Sequence, residues 1–237
     1  VPQTPAQLSA ADFRARVLSL DPKVAVFDCD GTLWSGDAGS AFMRWSMQTG
    51  LLDPERTAWL NSRYEGYKRG AVSELAICGE MVQVYRGLSV ETLRSAAAAF
   101  FSEHVERNLF PEMLALVAEL QTLGVEIWAV SSTCDWVVEE GVRRFGISAG
   151  RVLAARVACE GGLATDKLLD VPTDEGKVAS LHRAGITAPD AVFGNSVHDA
   201  AMLAIARLAF PVNPSPELQS RSAAEGWSVF FPAGTSA

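Results

Sequence analysis

A chain of 237 residues, 49% of them hydrophobic, has enough apolar material for one large domain or for a medium core with an insert. The net charge of −8 comes without a basic patch or stripe, which argues against a nucleic-acid partner and against an anionic membrane surface. No apolar run approaches the roughly 20 residues of a membrane helix. No signal-peptide pattern opens the chain, although its start on Val1 rather than Met implies a removed leading segment, and the cellular location stays open. Cys29, Cys78, Cys134 and Cys159 form no CxxC or zinc pattern and read as small apolar residues.

In chain order, residues 1–11 look like a loose arm and Asp12 to Leu20 like a short helix. The apolar, β-rich run Lys23 to Phe27 reads as a buried parallel strand. Similar runs recur at residues 125–130, 191–193, 208–210 and 227–231. Helical stretches lie between them: Pro111 opens one that Gly124 closes, Asp135 to Phe145 is followed by Gly146, and Glu175 to Ala184 by Gly185. This alternation predicts an α/β fold built on a doubly wound parallel sheet. Residues 36–109 break the pattern with four helical segments, Asp37 to Gln48, Pro54 to Lys68, Ser73 to Tyr85 and Val90 to Val105. Asp53 and Ser89 stand where N-caps belong. The expected organisation is a core domain of residues 1–35 and 110–237 with an inserted all-helical cap domain of residues 36–109, a candidate lid over the sheet's carboxyl edge.

The strongest chemical signal is Phe27-Asp28-Cys29-Asp30-Gly31-Thr32-Leu33, at the end of the first strand. Carboxylates at i and i+2 on leaving a strand, followed at once by Gly, can converge on the crevice where open α/β sheets bind ligands. Two carboxylates so close repel and call for a shared proton or a cation, for which hard, oxygen-preferring Mg²⁺ fits best. One of the pair can attack phosphorus while the other protonates the leaving oxygen and later activates water.

Asp28-Cys-Asp30-Gly31-Thr32 after an apolar strand resembles the first motif of the haloacid dehalogenase-like (HAD) superfamily. Val130-Ser131-Ser132, Gly176-Lys177 and Gly194-Asn195-Ser196-Val197-His198-Asp199 resemble that family's second, third and fourth motifs, in the right order. The resemblance implies that Asp28 is the nucleophile, Asp30 the general acid and base, and Lys177 the group that offsets their charge. It further implies that Gly31, Thr32, Ser131 and Ser132 hold the phosphoryl group with Lys177, and that Asp28, Asp30, Asn195 and Asp199 hold Mg²⁺. Asn195 departs from the commoner Asp at its position, which removes one negative charge from the metal site and shifts weight to Asp199.

The helical insert resembles the small cap of the phosphoserine phosphatase-like branch, which implies a small phosphorylated metabolite as substrate. Asp37 matches the acid that binds a substrate ammonium in that branch, whereas no counterpart of its carboxylate-binding arginine is visible around Ala76 to Glu80. Trp34, Trp45 and Trp59 lie near Asp37 in sequence, and aromatics beside a carboxylate suit an amino-alcohol phosphate such as phosphocholine or phosphoethanolamine. Asp30 argues against a dehalogenase and against a phosphonate hydrolase that would use Lys68, the sole cap lysine. A phosphomutase, or a non-catalytic phosphate-ligand binder with a decayed metal site, remains as an alternative. The sequence leaves the oligomeric state open.

Overall fold

The computed structural model describes residues 4–235, so the first three residues of the expected arm lie outside it. The arm is not loose throughout: Gln7–Leu8 form β1, and Ser9 caps α1, Ala10–Leu18. β2 (Val24–Phe27) leads into four helices, α2 (Ala38–Gln48), α3 (Pro54–Lys68), α4 (Glu74–Gln83) and α5 (Val90–Phe100). Each of these helices begins behind a side-chain N-cap, in turn Asp37, Asp53, Ser73 and Ser89. α5 runs on as a π-helical turn, Phe101–Val105. α6 (Pro111–Thr122), β3 (Glu126–Cys134), α7 (Asp135–Arg143), β4 (Val152–Glu160) and β5 (Leu163–Asp170) follow. The chain ends with α8 (Glu175–Arg183), β6 (Ala191–Gly194), α9 (Ala200–Ala204), β7 (Leu208–Pro211), α10 (Pro216–Glu225) and β8 (Val229–Phe230).

The main sheet has six strands in the order β5-β4-β3-β2-β6-β7, all parallel except the β4–β5 pair. From β2 the chain winds outward through β3 and β4, then crosses back to β6 and β7 on the other side. The winding reverses beside β2, and the segments leaving β2 and β6 lead to strands on opposite sides, which is where a doubly wound sheet leaves its ligand crevice. The run at residues 227–231 does not join this sheet. Its β8 pairs with β1 instead, held where the Phe230 ring stacks on Phe13 at 4.2 Å.

Residue alternation along the strands divides the interior. Ala25, Phe27, Phe193 and Phe210 face one layer, and Val26, Val192 and Ala209 face the other, against Leu181, Met202 and Leu218. On the first face Phe27, Phe193 and Phe210 stack across three adjacent strands, with centroids 4.2 and 5.1 Å apart. That column fixes β2 beside β6 directly beneath the carboxylate turn.

The β4–β5 hairpin is absent from the sequence expectations. Gly161 (φ +58°) and Gly162 (φ +79°) make its two-residue turn, a geometry that requires left-handed backbone at both positions. The hairpin hydrogen-bonds to the segment between α4 and α5, with Gly87 N–H donating to the Ala164 carbonyl at 2.7 Å and Ala164 N–H to Leu88 at 2.9 Å. α5 also packs on α7, and one continuous apolar cluster joins Phe42, Leu60 and Phe100 of the inserted helices to Phe27 and Val137. The insert is therefore held over the crevice by backbone bonds as well as by side-chain packing.

At one join the packing leaves no room at all. A Cβ on Gly141 in α7 would lie 2.6 Å from the Phe101 ring and 2.7 Å from that of Trp34. Gly141→Ala, which in an exposed helix would be stabilising, is expected to destabilise the fold by about 1–3 kcal/mol through overpacking. A lowered unfolding midpoint in calorimetry checks this, and an unchanged or raised midpoint contradicts it.

Candidate active site

Asp28 follows β2, and its N–H still donates to the Phe193 carbonyl at 2.9 Å, so the carboxylate is fixed as the last rung of the ladder. The chain then turns sharply: Leu33 N–H donates to Cys29 and Gly31 N–H to Trp34. Gly31 has φ +74°, and a Cβ there would fall 1.9 Å from Asn195 Nδ2. Only glycine satisfies both conditions, and its absence of a side chain brings the first and fourth motif segments into contact.

Lys177, on the first turn of α8, reaches the same place from below. Its Nζ donates to Asp28 Oδ1 at 2.7 Å, to Asp199 Oδ1 at 2.5 Å and to the Val130 carbonyl at 3.3 Å, which uses all three ammonium donors. All three charged side chains are buried. Thr32 Oγ1 donates to Asp28 Oδ2 at 2.9 Å. Asp199 Oδ2 accepts from the N–H groups of Asn195 and Ser196, each at 2.9 Å, so both Asp199 oxygens are spent on protein donors. Asp199 thus orients Lys177 and ties down the 195–196 loop.

Asp30 is held separately from Asp28. Its Oδ1 accepts from Trp34 Nε1 at 2.6 Å and from Ala38 N–H at 2.8 Å, and its Oδ2 from Thr133 Oγ1 at 2.7 Å. Burial, followed by the Asp37 charge, raises its pKa to about 6, against the pull of those three donors. A carboxyl that titrates near neutrality suits proton transfer in both directions. Burial and then the Asp199 charge raise Asp28, with Lys177 opposing. Burial alone would lower Lys177, but Asp199 and Asp28 more than offset it, and the ammonium stays charged.

These groups open on a cavity of about 230 Å³ roofed by α2, α3 and α4. Asp28, Asp30, Asp37, Ser131, Ser132, Lys177 and Asn195 all line it. Gly31 and Thr32 do not line it; they act from behind, through the Asn195 contact and the bond to Asp28. Asp37 also caps α2, its Oδ1 accepting from Ser40 N–H at 2.9 Å.

The tryptophans do not serve as expected. Trp34 is fully buried, edge-on to Phe101, and acts through its indole N–H on Asp30. Trp45 packs on Phe42 and Phe100, and Trp59 is 45% exposed in a separate surface hollow. The cavity's aromatics are Phe42, Tyr64, Tyr67 and Tyr85. Sequence reasoning also missed Thr133, although it directly follows Ser131-Ser132, and Glu74; His198, which beside Asp199 reads as an exposed polar residue, lines the cavity as they do. His198 Nδ1 lies 2.8 Å from Asp174 Oδ1.

Among the described residues no three His, Cys, Asp or Glu side chains converge as a metal-binding set. The oxygen donors nevertheless suit a hard cation. Buried Asp28 and Asp199 share a single buried ammonium, and half-buried Asp30 adds a carboxylate with none, which leaves the site short of positive charge. Asn195 adds an amide beside Asp28 and Asp30 at the cavity wall.

Three comparisons bear on this arrangement. A histidinol-phosphatase of Neisseria meningitidis serogroup C (strain 8013) is 24% identical over 217 residues, which is 87% of this chain and 97% of the relative. A protein of unknown function from Bordetella pertussis Tohama I superposes with a TM-score of 0.78 at 23% identity, covering 87% of this chain and 97% of that one. A substrate-bound phosphoserine phosphatase complex superposes with a TM-score of 0.59 at 16% identity, covering 89% and 92%. Residues 25–204, which run from β2 through α9 and contain every motif described above, match the haloacid dehalogenase-like hydrolases, and the chain belongs to that family.

Proposed function

We propose that this chain hydrolyses small phosphomonoesters through an aspartyl-phosphate on Asp28, with Asp30 as general acid and base. The observation that carries the reading is the division of labour between two carboxylates of one turn. Asp28 meets the Lys177 ammonium at 2.7 Å, which holds it in place as the nucleophile, whereas Asp30 meets only the neutral donors Trp34, Ala38 and Thr133, and its carboxyl titrates at about 6.

An Asp28 oxygen attacks phosphorus while the ester P–O bond breaks and the leaving oxygen takes the Asp30 proton. Water then gives a proton to Asp30 and attacks the same phosphorus, which breaks the Asp28 O–P bond and releases phosphate. Lys177 offsets charge on Asp28 throughout, and Ser131, with the N–H groups of the turn after Asp28, supports the phosphoryl oxygens. Asp28, the Asp30 backbone carbonyl and Asn195 would hold Mg²⁺, which when bound supplies the missing positive charge. With Asp199 engaged by Lys177, only one carboxylate reaches that ion, so its affinity rests on Asp28.

The substrate we propose is an amine-bearing phosphomonoester of the amino-alcohol class. Asp37 supports it from within the cavity, no arginine lines the cavity to hold a carboxylate, and a relative over most of the chain is named a histidinol-phosphatase.

Asp28→Asn is expected to abolish Mg²⁺-dependent hydrolysis of p-nitrophenyl phosphate. Asp30→Asn should still release one equivalent of nitrophenol, which needs no proton, and then stall, with turnover reduced on the order of 10²–10⁴-fold. Stopped-flow release with acid-quench detection of phosphoenzyme distinguishes the two; full turnover by either variant contradicts the assigned roles.

Chelation should remove activity and added Mg²⁺ restore it. Asp28 attacks only when deprotonated, so activity falls as pH drops through its raised pKa, and Mg²⁺ competes with the proton there. The acid limb of kcat/KM is therefore expected to move to lower pH as Mg²⁺ is increased. A limb that stays fixed across Mg²⁺ concentrations argues against Asp28 as ligand.

A panel of phosphomonoesters should give the highest kcat/KM to amine-bearing ones and a loss on Asp37→Ala. Strong preference for sugar phosphates or nucleotides, with no response to Asp37→Ala, rules the substrate class out.

A further inference from the structure

On the cap wall of the cavity one buried carboxylate oxygen has no donor in full hydrogen-bonding geometry. Glu74 is the first residue of α4, behind the Ser73 cap. Its Oε1 takes a weak bond from Cys78 Sγ at 3.4 Å, but its Oε2 is buried without a hydrogen-bond partner. Among the described residues the one other side-chain oxygen in that condition belongs to Glu112, which does not line the cavity. A buried carboxylate oxygen left unpaired destabilises a fold, and nothing in the helix start requires it, since Ser73 already satisfies Ala76 N–H.

The surroundings of Glu74 define what would satisfy it. Tyr64 and Tyr67 line the same wall, and the Tyr67 hydroxyl lies close enough to Glu74 that, after burial, a hydrogen bond with Glu74 and then its charge push the phenol pKa up. Asp37 lines the cavity as well, and the lysine at its base, Lys177, is committed to Asp28 and Asp199. The cap end is thus anionic and aromatic, with no lining arginine, a setting that attracts an organic cation by charge and by the ring faces together.

We propose that Glu74, with Tyr64 and Tyr67, forms the subsite for the cationic nitrogen group of the substrate, at the end of the cavity away from Asp28. This rests on the phosphatase reading for the position of the phosphate, and it assigns selectivity for charge to a cap residue rather than to Asp37 alone.

The test compares charged substrates with neutral isosteres on the full chain with Mg²⁺. The pairs are phosphocholine against 3,3-dimethylbutyl phosphate and phosphoethanolamine against propyl phosphate, with p-nitrophenyl phosphate run alongside. The wild-type protein should favour the cationic member by roughly tenfold or more in kcat/KM, mainly through KM. Glu74→Gln should lower that ratio by roughly threefold or more with Asp37 still in place, and Glu74→Arg should turn the preference toward phosphoglycolate. A wild-type ratio at or below one overturns the proposal without any variant, and so does a ratio that survives Glu74→Gln. If p-nitrophenyl phosphate is not hydrolysed either, the phosphatase reading fails. Calorimetric binding of the same pairs to wild-type and Glu74→Gln protein then decides the Glu74 subsite separately: tighter binding of the cation that depends on Glu74 supports it, and equal binding overturns it.

Discussion

A single ammonium buried between two carboxylates organises this molecule. Lys177 reaches Asp28 on one side and Asp199 on the other, with the Val130 carbonyl as its third acceptor. The contacts come from the end of β2, the middle of β3 and the turn after β6, so the side chain ties these three segments together where the sheet's winding reverses. Desolvating three charges is costly, and isolated buried ion pairs often fail to recover that cost. Here the remaining hydrogen-bonding capacity is filled. Thr32 serves Asp28, and the Asn195 and Ser196 N–H groups serve Asp199. What the arrangement supplies is a nucleophile held in place, with its charge already compensated before a substrate arrives.

The same geometry separates the two acids of the first turn. Asp28 and Asp30 are two residues apart, yet they share no hydrogen-bond partner. Asp30 is turned toward α2 and the end of β3, where Trp34, Ala38 and Thr133 donate to it. Neutral donors stabilise a carboxylate less than an ammonium does. The two carboxylates therefore face different surroundings, Asp28 an ammonium and Asp30 neutral donors alone, and the difference comes from the direction of a tight turn that Gly31 makes possible.

The sequence showed most of the site because most of it is local. Asp28, Asp30, Lys177 and Asp199 each stand at a strand end or a helix start, and a strand end in a doubly wound sheet points at the crevice. The rest depends on direction, which sequence spacing does not carry. Trp34 lies near Asp37 in sequence, but the turn sends its ring inward, where the indole N–H found Asp30. Tyr64, Tyr67 and Glu74 sit on cap helices whose apolar face is weakly marked, and periodicity there does not say whether core or cavity covers a residue. The β4–β5 hairpin escaped because its pairing shifts register twice along its length, although Gly161-Gly162 is a hairpin turn signal.

The cavity presents an apparent contradiction in charge. Asp28, Asp30, Asp37 and Glu74 line it, Lys177 is already engaged, and yet a phosphate dianion is the proposed guest. A uniformly anionic pocket would repel it. The contradiction resolves if the negative charge serves two separate ends. At the base, Asp28 and its neighbours are neutralised by Lys177 and by a bound cation, which together present positive charge to the phosphate. At the cap, Glu74 stays uncompensated until a cationic group occupies the space beside the tyrosines, while Asp37 lies nearer Asp30. A substrate with positive charge at one end and phosphate at the other matches both ends at once. A purely anionic phosphate would meet only the base, and it would bear the repulsion of the cap without relief.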